Sequence, residues 1–327
     1  MYLYGRPVSA ARRFVFRCGL FVPKIAKGMA VSMTKLKKAA TPYLLLIPFL
    51  LIMGFIFMGG LVQAVVQSLG YMPVFNMTEL TFEHYRRVLS DFRFLSSLQY
   101  TFYIALTSSV LSVVLGVFVA FLVHKARKGN RLSFSFIRIP IMIPHIVAII
   151  MIFHIFFQTG ILSRAAFSLG LIENANDFPL MIFDRGGAGI ILLYLYKQIP
   201  FVMLMVYSIS RNIDGKYYQV AENLGATPFQ IMTKITLPLL APTILSGFLF
   251  CFAFGFGAFE VPFLLGSPAR QTLPILAFIE YRSPVIADRP AAMAINVIIS
   301  VISLGLIWLY AKVLSALTKK GMEMGVG

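Results

Sequence analysis

Six long apolar stretches, separated by polar segments, dominate the chain. They cover about residues 43–68, 97–123, 136–158, 188–210, 238–265 and 291–314. Each is long enough for an α-helix to cross a bilayer, which takes roughly 20 apolar residues. A helix bonds its backbone N–H and C=O groups internally, and neighbouring helices or water can satisfy the carbonyls that prolines free. The pattern therefore predicts an all-α membrane protein with six transmembrane helices.

The polar segment between the fourth and fifth stretches carries signals for two short helices joined by a tight turn. Asp214 can cap a helix over about 217–224, and Gly225 suits the left-handed position that ends it. The second helix has an N-cap, a proline at its first position and a capping-box partner: Thr227, Pro228 and Gln230. The apolar residues available on these helices are Val220, Ala221, Leu224, Phe229 and Met232. Such a surface is typical of docking into a partner groove; the alternative is an amphipathic loop on the membrane surface.

The same segment resembles the cytoplasmic EAA loop of bacterial ABC importer permeases, whose pattern is E-A-A-x3-G-x9-I-x-L-P. The positions that match are Ala221, Gly225, Ile235, Leu237 and Pro238. Gln219 and Val220 stand where that family has its leading Glu and Ala. The resemblance implies a type I importer permease fold over 42–318, with 211–238 as the ATPase-coupling loop.

The resemblance also implies a function. The chain would be the permease subunit of an ATP-driven importer and would form half of the path for a small polar solute. A periplasmic or extracellular binding protein would deliver that solute. A separate ABC ATPase dimer would bind ATP and Mg, so no cofactor is expected in this chain.

A second permease subunit is expected as well. The basic N-terminal extension and the divergent Gln219 and Val220 favour a heterodimer over a homodimer. The stretches 257–266 and 288–292 resemble the spermidine/putrescine, ferric iron and aminoethylphosphonate branch. An ion-coupled secondary transporter or channel is the competing hypothesis, but it does not explain the loop.

Charge placement predicts the orientation. The tail 1–41 carries nine Lys/Arg and no carboxylate, and more bases lie near 125–138, in the 211–234 loop and close to the C-terminus. By the positive-inside rule, both termini and the loop are cytoplasmic, with 319–327 as a short C-terminal tail. The protein is thus expected in the bacterial inner membrane. The net charge of +17 is interpreted as a topology signal and an attraction to anionic lipid, not as nucleic-acid binding.

The chain is not expected to be an enzyme. It lacks G-x4-G-K-[ST], H-E-x-x-H and G-x-S-x-G motifs and any cluster of Cys and His. Cys18 and Cys251 fall in different predicted regions, so no disulfide is expected.

Four ionisable side chains inside predicted spans are candidates for the translocation path: Lys197, Glu260, His145 and His154. Charge at such depth is costly unless it faces the bundle interior or a partner. One interpretation pairs Lys197 with Glu260, another places either side chain against solute, and a third leaves Glu260 at the wet outer rim. A path lined by Lys197 would favour an anionic or zwitterionic solute over a polycation. The two histidines are nine residues apart, on opposite faces of one helix, so no shared metal site is expected.

Two short amphipathic helices are predicted outside the spans, at 79–95 and 160–172. They resemble the segments that importer permeases present to the binding protein. The alternative is that they only close the outer end of the bundle.

Overall fold

The computed structural model describes residues 45–125, 131–211, 213 and 215–323. The predicted tail 1–41, the last residues of the predicted tail 319–327 and the predicted cap Asp214 lie outside this range. Two compact units divide the chain, residues 1–63 and 64–327. The described part of the first unit is helical and belongs to α1 (Leu45–Ser68).

The second unit holds the remaining helices. They are α2 (Glu83–Ser90), α3 (Phe92–Lys125), α4 (Arg131–Met142), α5 (His145–Phe156), α6 (Ile161–Ser168), α7 (Ala188–Ser210), α8 (Gly215–Asn223), α9 (Pro228–Ile231), α10 (Leu237–Gly257), α11 (Glu260–Leu265), α12 (Leu273–Tyr281) and α13 (Arg289–Glu323). Short 3₁₀ turns and one π turn join some of them, and the described residues contain no β-strand. Within the described part of the chain, six segments are long and apolar enough to cross a membrane, which confirms the predicted all-α, six-span architecture.

Side-chain contacts give the directions of the central helices. Gly187, just before α7, lies against Ile104, and Gly116 lies against Val202, so α3 and α7 run the same way. α10 runs the opposite way, because Gly255 near its end packs on Ala105, whereas its first residue, Leu237, lines a cavity with Val114, further along α3. We call the end of the bundle that carries residues 211–237 the loop end and the opposite end the far end.

A buried amide joins the three central helices. Ser112 of α3 donates a hydrogen bond to Oε1 of Gln198 on α7 at 3.0 Å. The Nε2 of Gln198 in turn donates to the carbonyl of Cys251 on α10 at 3.3 Å. Gln198 is only 6% exposed, so its polar atoms are satisfied by protein groups in an apolar core. These bonds fix the lengthwise register of the three helices against one another.

Ion pairs tie the far end together. Arg87 of α2 pairs with Asp288 at 3.0 Å, and Arg93 of α3 pairs with Asp91 at 2.8 Å and with Glu280 of α12 at 3.1 Å. Burial alone would raise the pKa of Asp91, but the hydrogen bonds from Arg93 outweigh it and hold that pKa below its usual value. The far end is therefore a connected cap over α3 and α13.

The short helices at the far end include one that the sequence analysis missed. α2 and α6 lie within the predicted segments 79–95 and 160–172. α12 was not predicted, although Thr272 precedes it and a proline stands in its first turn. Its first residue, Leu273, donates its N–H to Thr101 Oγ1 of α3 at 2.9 Å.

The third predicted span is not one helix. α4 ends at Met142 and α5 begins at His145, so the prediction of a continuous helix over 136–158 is wrong. Pro144 is extended, with ψ of 148°. Proline has no N–H and disfavours a helical conformation in the residue before it, so the chain breaks here.

The fifth predicted span ends early. α10 stops at Gly257, and the extended Ala258 separates it from the six-residue α11. Pro262 lacks the N–H that the carbonyl of Ala258 would accept in a continuous helix. The prediction of one helix over 238–265 is therefore wrong at its far end, and Glu260 lies at the start of α11.

Close approach of α3 and α7 depends on Gly116. A Cβ at this position would lie 2.7 Å from Val202 Cβ and 3.1 Å from the carbonyl of Ile199. We expect Gly116→Ala to lower stability by about 1–3 kcal/mol, as overpacking does in other cores. The measurement is the thermal unfolding midpoint of the purified protein in detergent.

Gly305→Ala is the matched control, since Gly305 is also helical and a Cβ there meets nothing within 4 Å. It should leave the midpoint unchanged or raise it, because alanine favours a helix by about 0.5–1 kcal/mol over glycine. Equal midpoints for the two variants would show that α3 and α7 are not in contact at Gly116.

Candidate functional site

The loop-end segment consists of two helices and a tight turn, as its local sequence predicts. Gly225 follows α8 with φ of +78°, the left-handed region. Its N–H donates to the carbonyl of Glu222 at 2.9 Å, and the N–H of Ala226 donates to that of Ala221 at 3.0 Å. This pair of bonds is the Schellman motif, which satisfies carbonyls at the end of a helix. Glycine is needed because a side chain is strained at this φ.

The second helix begins with the predicted capping box. The N–H of Thr227 donates to Gln230 Oε1 at 2.8 Å, and the N–H of Gln230 donates to Thr227 Oγ1 at 3.3 Å. Pro228 occupies the first position of α9, where a missing N–H costs nothing. Both ends of the turn are therefore held by local hydrogen bonds.

A π turn over Met232–Thr236 connects α9 to α10. Here the N–H of Leu237 donates to the carbonyl of Met232. Pro238 follows at once and has no N–H for the carbonyl of Lys234, so the regular α-helical bonding is interrupted at this point. The Ile235-x-Leu237-Pro238 spacing is thus the place where the loop-end segment joins a membrane helix.

The apolar surface of this segment is smaller than predicted. Leu224, Phe229 and Val220 are 82%, 69% and 58% exposed. Ala221 is 7% exposed and cannot contribute to a docking surface, and Met232 is half-buried. Of the remaining residues of the predicted loop site, Ile235 is half-buried, whereas the others are exposed: Gln219, Leu237 and Pro238. The docking role of the surface formed by Val220, Leu224 and Phe229 stays a prediction.

A groove of about 760 Å³ lies between this segment and helices α3 and α7. Its walls are mainly apolar, and Glu222 and Tyr218 of α8 line it. Thr236 Oγ1 donates to the hydroxyl of Tyr218 at 3.3 Å. α8 is therefore attached to the start of α10 by a side-chain contact in addition to the backbone.

Lys197 does not pair with Glu260. Its ammonium donates to the carbonyl of Pro140 at 2.8 Å and also to that of Ile143. In the described part of the chain, the ion pairs lie at the far end. The charge inside this span is thus stabilised by the last carbonyls of α4.

His145 stands next to this contact, as the first residue of α5. Glu260 begins α11, which packs against both α5 and α7. The ring of His145 packs edge-on against Phe254 of α10, with centroids 5.3 Å apart, and Tyr194 of α7 packs on the same Phe254 ring at 6.1 Å. The Nε2 of His145 and the hydroxyl of Tyr194 are buried and make no hydrogen bond with the described residues. Two unsatisfied polar atoms therefore flank Phe254, beside the breaks in both α4–α5 and α10–α11.

His154 is separate from this group. It lies nine residues along α5, about 13 Å from His145 by helical rise. It is exposed, and its Nδ1 is 2.9 Å from the carbonyl of Ile150. The structure therefore places His145 and Lys197 at the same chain break, and Glu260 on a helix that packs against both of theirs.

Phe254, Tyr194 and Pro144 contribute to this group and were not selected from the sequence. A signal existed for Pro144, since a proline inside an apolar stretch frees a carbonyl that needs a donor. No pattern of spacing distinguishes Phe254 or Tyr194 from the other aromatic residues of the apolar stretches. Their position follows only from the packing of α7 against α10.

Known proteins resemble this chain in sequence and in fold. Residues 112–319 match the family described as binding-protein-dependent transport system inner membrane component. The chain is 27% identical over 205 residues to the molybdenum transport system permease protein ModB of Mycobacterium tuberculosis, across 61% of this chain and 72% of ModB. It is 27% identical over 240 residues to the putative 2-aminoethylphosphonate transport system permease protein PhnU of Salmonella paratyphi A, across 71% and 78% of the two chains.

The fold is also similar to that of a bacterial ABC transporter involved in the import of the acidic polysaccharide alginate. The two share a TM-score of 0.66 at 18% identity, over 86% of this chain and 99% of that one. The six apolar helices, the loop-end segment and this fold agree with the family match, which spans well over half of the chain. The chain therefore belongs to the binding-protein-dependent transport system inner membrane components and is a multi-pass permease of a bacterial ABC importer.

Proposed function

We propose that this permease forms half of a translocation path for a small polar solute, and that ATP-driven motion enters it through residues 211–238. The observation that carries the proposal is the exposed surface of Val220, Leu224 and Phe229 on a turn held by two capping motifs. Three large apolar side chains on a turn held by local hydrogen bonds are more stable in an apolar groove of a partner than exposed to water. The partner would be a separate ABC ATPase dimer that binds ATP and Mg, so this chain needs no cofactor of its own.

The link from the loop to the membrane supports the proposal. α8 is attached to Thr236 through Tyr218, and the π turn leads directly into α10. A displacement of the docked segment would therefore move α10, whose Phe254 contacts His145 and Tyr194. Closure of the ATPase dimer would turn the path outward, and hydrolysis would return it inward.

The path is proposed to run past His145, Lys197 and Glu260. Both helix breaks lie beside these residues, and interrupted helices place polar groups at membrane depth without exposing them to lipid. His154, the fourth candidate, is not proposed to line the path, because it lies apart from the other three residues. Glu260, Phe254 and Ile146 are exposed, so a second permease subunit would cover this face and complete the path.

The direction of transport follows from the proposed orientation. The excess of Lys and Arg in the 211–234 segment and in both terminal tails supports a cytoplasmic position for the loop end and both termini. The far end would then receive solute from a binding protein, with α2 and α6 as contact surfaces. Relatives named for molybdenum, sulfate, putrescine and 2-aminoethylphosphonate transport support a small polar or charged solute. An ion-coupled secondary transporter or channel is the weaker alternative, because it gives the loop-end segment no role.

Gly225→Val should uncouple the permease from its ATPase. A β-branched residue is strained in the left-handed conformation by about 1–2 kcal/mol, so the turn would move and displace Leu224 and Phe229. The measurement is ATP hydrolysis by the reconstituted complex, together with co-purification of the ATPase. Both should fall, while membrane insertion of the variant stays normal.

Gly225→Asn is the control, because asparagine adopts this conformation more readily than other residues with a side chain. It should retain most of the ATP hydrolysis. If Gly225→Val copurifies with the ATPase and supports hydrolysis at the wild-type rate, the docking assignment is wrong.

The complex is expected to contain a second, different permease. The departure from the family pattern at Gln219 and Val220 supports unlike subunits, because one ATPase dimer would then meet two distinct loops. Native mass spectrometry of the complex, purified through a tag on this chain, should find one copy of it and one related subunit. Two copies of this chain with no related subunit would establish a homodimer instead.

A further inference from the structure

The contact between Lys197 and α4 coincides with a defect in backbone hydrogen bonding. In a continuous helix the carbonyl of Pro140 would accept the N–H of residue 144. Residue 144 is a proline and has no N–H, so that carbonyl has no backbone donor from its own helix. The ammonium of Lys197 lies 2.8 Å from this oxygen and donates to it.

The same ammonium also reaches a second carbonyl at this break. Ile143 is the residue directly before Pro144, at the point where the chain leaves α4, and Lys197 donates to its oxygen too. Two of the three N–H groups of the lysine are thus used on one helix end. A positive charge is favourable at that position, because the carbonyl end of a helix carries partial negative charge.

The ammonium and the carbonyls satisfy each other's need for a hydrogen-bond partner. A carbonyl without a donor is unfavourable in apolar surroundings, and so is an ammonium without an acceptor. The two are brought together from positions 57 residues apart in the chain. The contact joins α7, which belongs to the bundle core, to a break in the helix that leads into the proposed path.

We propose that Lys197 is a positioning residue: it replaces the hydrogen bond that Pro144 cannot make and so holds the break between α4 and α5 in place. His145 follows Pro144 directly, and its ring rests on Phe254 of α10. The lysine therefore sets the position of the first turn of α5 against α10. This differs from the expectation that Lys197 selects solute by its charge. The link to transport rests on the proposed function, whereas the structural role does not.

The test combines removal of the ammonium with restoration of the missing N–H. Lys197→Met keeps an unbranched apolar side chain but has no donor, and Pro144→Ala supplies a backbone N–H for the carbonyl of Pro140. Lys197→Arg keeps both the charge and the donors. The variants are compared in the full complex, in lipid nanodiscs without added solute, by hydrogen–deuterium exchange and by ATP hydrolysis.

Lys197→Met should speed amide exchange in peptides covering 143–150 by about tenfold or more, since a lost buried hydrogen bond loosens the segment locally. Peptides from α13 should be unchanged. ATP hydrolysis should fall as α5 loses its position against α10. Pro144→Ala combined with Lys197→Met should slow the exchange again, because the restored N–H can satisfy the carbonyl of Pro140, and Lys197→Arg should resemble wild type in exchange.

Unchanged exchange at 143–150 in Lys197→Met would overturn the proposal, whatever happens to hydrolysis, and would leave a direct contact with solute as the role of the lysine. If Pro144→Ala alone does not assemble, the comparison of wild type with Lys197→Met still decides. Faster exchange in Lys197→Met without any change in hydrolysis would keep the structural role and reject its link to transport. Absence of any ATP hydrolysis in the wild-type complex would instead count against the proposed function alone.

Discussion

Backbone carbonyls that lose their helical donor must find another in a membrane protein, because hydrocarbon offers none. Prolines create this problem at several places in the chain, and three of them lie at interruptions of the helices. Pro144 frees a carbonyl of α4, and Lys197 satisfies it. Pro238 follows the π turn that begins α10, and Pro262 follows the break that ends it. The helix interruptions of this permease therefore arise from one requirement, and they are also the points where the proposed coupling segment and the proposed path lie.

In the regular part of the bundle, packing and hydrogen bonds must hold the helices together, because lipid provides no hydrophobic force between them. Small residues allow close approach, as Gly116 does against Val202. The side-chain amide of Gln198 fixes how the helices are aligned along their axes, because it can bond both Ser112 and the carbonyl of Cys251 at only one register. α3, α7 and α10 thus form a rigid centre, and α4, α5 and α11 are the parts of the fold in which chain breaks occur.

Local features of the sequence were predicted well, and features that depend on distant parts of the chain were not. Gly225 and Thr227 act through hydrogen bonds within a few residues, so their conformations could be derived from residue type and spacing. The partner of Lys197 could not be derived in this way. Its acceptors lie on another helix and are available only because Pro144 ends α4, whereas the only carboxylate in the predicted spans, Glu260, lies outside hydrogen-bonding distance. A lysine inside a span can therefore be satisfied by a carbonyl that a proline frees on another helix, as well as by a carboxylate.

Burial within the loop-end segment likewise depends on distant parts of the chain and not on residue type alone. Residue type alone placed Ala221 with Val220 on an apolar surface, but Ala221 is 7% exposed and Val220 is 58% exposed. Successive residues of a helix point about 100° apart, so the face that turns inward depends on how α8 lies against the rest of the bundle. That orientation depends in part on the contact between Tyr218 and Thr236, 18 residues apart. Position 221, which matches the EAA pattern, is thus one that holds α8 against its own chain. Position 220, where this chain departs from that pattern, is the one that a partner can reach.

α10 connects the two functional regions, and its boundaries explain how it can do so. It is a continuous helix of 21 residues, about 30 Å long, with an interruption at each end. Gln198 holds it at Cys251, about one turn before Phe254, which touches His145 and Tyr194. In the proposed mechanism, a force on the loop-end segment would therefore tilt α10 about its attachment to Gln198, since sliding along the axis would break that register. The break after Gly257 separates α11 from this movement, so the far end can keep its ion-paired cap while the path beside Phe254 changes shape.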